Sequence, residues 1–153
     1  PDIRSVLQSR GVENTDYVVT TRVDSDDALS VHYVAAIEEH VEKIRRRSGD
    51  VPISINPIDG IYFFAATGRF VKVKKENYSV QTVGSVFGDS FIHPHSCSHK
   101  SIAKEFQHVG MIPCLLNSGA PMWMRSIRKD SNTREGRAPR WIESRFIFIK
   151  KLP

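Results

Sequence analysis

The chain has 153 residues, 40% of them hydrophobic and 25% charged, with a net charge of +5; this suffices for one compact domain over 1–153 and excludes a disordered or low-complexity chain. No apolar run approaches the roughly 18 to 20 residues of a membrane-crossing helix, and residues 1–25 lack the basic start and apolar core of a signal peptide, so the sequence reads as soluble and cytoplasmic. Cys97 and Cys114 are too few for a disulfide framework and read as reduced thiols, or alternatively as one bridge.

The opening "PDIRSVLQ" has no initiator Met, which suggests a cut inside a longer protein. A short amphipathic stretch closed by Gly11 precedes "TDYVVTTRV", whose β-branched and aromatic residues predict a strand. From about Ala28 to Arg47, apolar residues at Val34, Ile37, Val41 and Ile44 follow helical spacing, and "KIRRRSG" ends the helix with cations at its negative end and Gly49 to close it. The period then changes. Strands are predicted near 52–56, 60–66 and 69–75, the last two as a hairpin around "ATGR", with one more strand inside "ENYSVQTVGSVFGDSFIHPHS". A second helix is expected at about 98–109, with Ser98 as a cap and Gly110 as its stop. "MIPCLL" reads as a short buried strand, "MWMRSI" is indeterminate, and "WIESRFIFIKK" reads as a final strand. Between them lies a basic segment, 125–140, expected to be mobile. From Arg125 onward nine Lys/Arg stand against three Asp/Glu, a net +6, so the basicity belongs to the C-terminal stretch and suits a phosphate-bearing partner. The order of elements predicts a mixed α/β domain.

The segment "TTRVDSDDALS" places Asp24, Asp26 and Asp27 where a strand is expected to end and a helix to begin. One aspartate suffices to cap a helix. A calcium loop counted from Asp24 fails, because its glycine and glutamate positions hold Leu29 and Ala35. An open cation site remains, in which Asp24 and Asp26 share Mg²⁺ or Mn²⁺ and the ion meets a phosphate-bearing substrate. Spacing weights capping and metal binding about evenly; the strand-end location and the distant basic segment favour the metal.

The segment "YVVTTRVDSDDALSVHYVAAI" resembles the T-x-R-x-D-x-D-D-A-L motif of the rhamnosyltransferase-like family of GT-A-fold glycosyltransferases. The likeness continues through "INPIDGIYFF", "HSCSHKSI" and "PMWMRSIRKDSN", over roughly residues 16–132. The resemblance implies a partial or trimmed GT-A domain with a mixed sheet and flanking helices. It also implies a metal-dependent transfer of sugar from a nucleotide-diphosphate donor to a glycan acceptor. Asp24 and Asp26 would then be metal-side carboxylates, Asp27 would bind the donor sugar or cap the helix, and Arg22 would orient the carboxylates. Only some 23 residues precede the motif, where the family's nucleotide-binding strands would stand, and Arg128 occupies the position where a histidine is expected.

His93, His95, Cys97 and His99 alternate in "FIHPHSCSH", so an extended segment would align them. They read as surface histidines, as a zinc site, or as the source of one further ligand to the Asp24/Asp26 cation, with His99 the first choice and His95 the second. Arg125, Arg128 and Lys129 read either as a solvated tail or as a lid over the donor diphosphate. Trp123 would stack on a sugar or base, or lie in the core. Asp89 is the one acid near "VFGDSF" and so the candidate base, against a plain loop-surface role. Competing readings are a nucleic-acid-binding module using the basic stretch, which lacks interleaved aromatics, and a Mg²⁺-dependent nuclease or phosphohydrolase.

Overall fold

A computed structural model describes residues 2–74, 80–94, 102–127 and 146–152. It shows a mixed α/β architecture built on two sheets. Helix α1 (Ile3–Ser9) is followed by β1 (Tyr17–Val23), β2 (Asp27–Leu29), α2 (Tyr33–Ser48), β3 (Ile53–Pro57), β4 (Asp59–Phe64), β5 (Arg69–Lys74) and β6 (Val80–Val86). A short α3 (Ile102–Glu105) runs into a 3-10 turn, and β7 (Ile112–Leu116), β8 (Trp123–Ile127) and β9 (Phe146–Leu152) complete the order. The first sheet has the order β7-β3-β6-β1-β9, antiparallel except for the parallel β3/β7 pair. The second has the order β2-β8-β4-β5, with β4 and β8 parallel.

Strand β1 lies between β6 and β9, which explains why its run "YVVTTRV" is apolar or neutral on both faces except at Arg22. One face, carrying Tyr17, Val19, Val23, Ile53, Ile55 and Val80, packs against Tyr33, Ile37 and Val41 of α2. Inside this layer the Thr21 and Thr82 hydroxyls meet at 2.7 Å, and Tyr33 Oη joins Thr82 Oγ1 at 2.8 Å. Burial pushes the Tyr33 phenol up to about 12, so it stays a neutral hydrogen-bonding group. At the far end of α2, Gly49 takes a positive φ of 73° and its N–H donates to Arg45 O, closing the last turn. Arg45 lies over the Tyr17 ring at 4.5 Å and pairs with Asp50 at 2.7 Å.

The helix begins five residues later than the periodicity predicts. Its inward seam starts at Tyr33 while Val34 is 42% exposed, because residues 27–29 are drawn off to pair with β8. The hairpin β4/β5 and the strand β6 form as expected. Strand β7 is an edge strand with only Leu116 buried, so it is less buried than its apolar run implies. The second helix is short: residues 98–101 lie outside the described residues, and Gly110 ends the 3-10 turn in the left-handed region.

The two sheets share the main core through Met122 and Trp123. Trp123 is 2% exposed, donates Nε1–H to Pro57 O at 3.0 Å and sits over Gly60, where a Cβ would stand 2.2 Å from the ring. Asp59 orders the loop before β8 by accepting hydrogen bonds from the backbone of Ser118 and Gly119 at 2.9 and 3.1 Å. The segment 125–140 is therefore not uniformly a loose tail: Arg125–Ile127 belong to β8, and residues 128–140 lie outside the described residues.

Candidate functional site

The three aspartates occupy the point where the chain leaves the first sheet for the second. Asp24 O accepts the Asp27 N–H at 3.0 Å, closing a tight turn, and Asp26 O accepts the Ser126 N–H of β8 at 3.1 Å. Asp27 opens β2 directly opposite Arg125. A turn between two strands replaces the predicted strand-to-helix junction, so neither Asp26 nor Asp27 caps α2. That helix starts at Tyr33 beyond Ser30, whose Oγ accepts the His32 N–H at 3.2 Å.

Arg22, the last-but-one residue of β1, places Nε 3.5 Å from Asp24 Oδ1, which supports its expected role of orienting the carboxylates. The contact is an ion pair without a formed hydrogen bond, since both atoms are shielded from water and lack a hydrogen-bond partner. On the other side, Arg125 Nη2 stands 3.7 Å from Asp24 Oδ2. The same guanidinium grips Asp27 with Nε to Oδ1 at 3.2 Å and Nη2 to Oδ2 at 3.4 Å. Asp24 is thus flanked by one arginine from each sheet. Its carboxyl is raised above the ordinary range by burial and by the neighbouring Asp26, against the lowering effect of Arg22 and Arg125. Burial likewise lowers Arg22, so both partners pay for leaving water.

Several expected roles change. The Asp27 side chain is fully buried and clamped by Arg125, so it is a strut between strands and not a free contact for a sugar. Arg125 is held in β8 by two carboxylates, which excludes it from a loose lid. Trp123 is in the core, with its ring against Gly60 and Tyr62, and presents no face for stacking. Asp89 follows β6 at the Tyr17 end of β1, while Asp24 follows the Val23 end, so the two are separated by the length of the strand, roughly 20 Å. Its backbone O accepts a hydrogen bond from Arg4 at 3.0 Å, and it is too remote to act as a base at the aspartates.

His93 sits near Phe91, Asp2 and Arg4 at that same distant end, with burial lowering its pKa. His95, Cys97, His99, Arg128 and Lys129 lie outside the described residues. Cys114 carries a free, half-buried thiol whose pKa burial raises. Among the described residues, no three His, Cys, Asp or Glu side chains converge as metal ligands.

The arginine of β8 as a partner for Asp27 is the feature sequence reasoning missed. The residues are 98 positions apart, and only the pairing of a three-residue strand with β8 brings them together. The Asp24 end of β1 also abuts a row of buried polar side chains, Gln81 and Asn56, on the face away from α2. The alternation in "VQTVGSV" is the signal that could have shown it.

A family model described as "Putative rhamnosyl transferase" matches residues 2–147. No curated protein and no solved structure matches the chain. The match takes in the acidic turn, both flanking arginines and all the strands that position them, and covers nearly the whole chain; the protein belongs to this rhamnosyl transferase family of glycosyltransferases.

Proposed function

We propose that the chain transfers a sugar, rhamnose by the family's description, from a nucleotide-diphosphate donor to a glycan acceptor, and that its architecture is a trimmed GT-A domain. The observation that carries the reading is the condition of Asp24: a carboxylate at a sheet junction, with Oδ1 buried and not hydrogen-bonded. Three carboxylates meet two guanidinium groups around the turn, which leaves one negative charge uncompensated among these groups. Mg²⁺ or Mn²⁺ would reverse that sign and match a diphosphate.

Asp24 and Asp26 would hold the ion, whose hard-cation chemistry suits carboxylate oxygens and supplies charge neutralisation to the leaving diphosphate. Asp27, clamped by Arg125, fixes the turn. Arg22 orients Asp24 and offers its guanidinium to phosphate. His99 as a further ligand and Arg128 and Lys129 as phosphate contacts complete the proposal. Of the competing readings, nucleic-acid binding loses Arg125 from its basic stretch, because two carboxylates already hold that guanidinium.

Titration of the purified chain with Mn²⁺, read by protein fluorescence and repeated with a nucleoside diphosphate, tests this. Binding that is tightened by the nucleotide and lost in Asp26→Ala is expected. Unchanged cation affinity in that variant would overturn the assignment.

A further inference from the structure

The first sheet carries buried polar groups on both faces, and they are satisfied very unequally. Towards α2, Thr21, Thr82 and Tyr33 form a closed hydroxyl cluster. On the opposite face, Ser85 at the Tyr17 end is fully used, accepting from the Ile92 N–H at 3.1 Å and donating to Ile92 O at 2.9 Å. Moving along that face towards the acidic turn, the bonding weakens. Thr20 Oγ1 reaches Val83 O only at 3.4 Å, and Gln81 Nε2 reaches Ser54 Oγ only at 3.5 Å. Gln81 Oε1 has no partner, although the residue is 1% exposed.

The register explains what surrounds it. Arg22 lies directly across from Gln81, and Ile55 lies across from Thr82, which sets Asn56 beside Gln81 on the other side. A row of Arg22, Gln81 and Asn56 therefore crosses three strands at the end of the sheet that carries Asp24. Ser54 and Thr20 stand one row behind it. Exposure rises from Gln81 through Asn56, at 8%, to the side chains of Arg22 and Asp24, at 15% and 27%, so the row opens towards the turn. A stable core would place apolar groups here, because a buried amide oxygen without a partner costs about 1–3 kcal/mol. An unused acceptor beside amide and guanidinium donors is what pairs of adjacent hydroxyls need, since each hydroxyl both donates and accepts.

We infer that the row Arg22, Gln81 and Asn56 is a sugar-hydroxyl subsite reached from the Asp24 turn. This rests on the glycosyl-transfer reading above. The hexose comes either from the donor or from the acceptor, and the two sources share the same chemistry. Gln81 binds the ring hydroxyls, and the turn holds the charged part of the substrate.

The test uses the full chain and calorimetry with Mn²⁺ present. The probes are nucleoside diphosphates, bare and as rhamnose conjugates, together with methyl rhamnoside. Wild type is expected to bind a rhamnose-bearing probe more tightly than its sugar-free counterpart, or to bind methyl rhamnoside itself. Gln81→Met, close in volume, should weaken that sugar-dependent binding about tenfold while leaving the bare nucleotide unaffected. Its unfolding temperature should hold or rise, because no buried acceptor is left unpaired. Loss on the conjugate identifies the donor sugar, and loss on methyl rhamnoside identifies the acceptor. Sugar-dependent affinity retained in both Gln81→Met and Gln81→Leu overturns the subsite and leaves the glycosyl-transfer reading standing. A wild type that binds none of the probes overturns both.

Discussion

Replacing Arg125 with Met should expose how much of the acidic turn depends on one guanidinium. The substitution keeps an unbranched side chain in β8 but removes the Nε and Nη2 contacts to Asp27, at 3.2 and 3.4 Å, and the 3.7 Å contact to Asp24. Asp27 is then a fully buried carboxylate without its cation. Breaking such a pair from one side costs about 3–5 kcal/mol. Arg125 retains 20% exposure, and Asp27 has a further interaction besides this arginine, so about 2–3 kcal/mol is the reasoned figure. Asp27→Asn added to Arg125→Met removes the stranded charge and should return stability to within about 1 kcal/mol of wild type. Arg125→Lys should fall between, since an ammonium cannot reproduce the two-point grip. Urea unfolding at neutral pH measures this as a lower midpoint at unchanged slope. A loss below about 0.5 kcal/mol in the single variant, or a double variant no more stable than the single, would refute the reasoning.

Gly60→Ala should destabilise by about 2–3 kcal/mol in thermal or urea unfolding, because a Cβ at 2.2 Å from the ring pushes on a buried Trp123 already tied to Pro57. Tyr33→Phe should cost about 1 kcal/mol by removing the buried hydroxyl contact to Thr82. The raised pKa of Asp24 sets a sign: the folded state holds the proton more tightly than the unfolded chain. Its contribution therefore favours folding as pH falls through the raised value towards the ordinary carboxylate value, and is lost as pH rises back through that window. Asp24→Asn should remove this component from the pH dependence of urea midpoints. In the proposed metal site the same shift makes protons compete with Mn²⁺ at a higher pH than an ordinary aspartate would allow, which a pH series of metal titrations would show.

Periodicity located α2, the β4/β5 hairpin and the central strands because their side-chain patterns are local. It misplaced the start of α2 because Asp27–Leu29 has no strong pattern of its own and becomes a strand only by pairing with β8. The carboxylates were legible as a group from their density. Their arrangement was not, since it depends on arginines at positions 22 and 125, one adjacent in sequence and one distant. Trp123 was equally open to a surface or a core role until Gly60 supplied the flat space beneath it. Asp89 shows the converse: nearness in a motif-bearing region carries no information about which end of an antiparallel pair a residue reaches.

The chain passes from one sheet to the other within the acidic turn, and Asp24 draws its compensating charges from both sides of that passage. Its ionisation is accordingly a property of the junction and not of either sheet. Sliding β8 away from β1 would strip one cation and drive the carboxyl towards protonation. Drawing the strands together would hold it charged. The alignment of two layers is written into the charge of a single side chain, and whatever binds there feels the geometry of both.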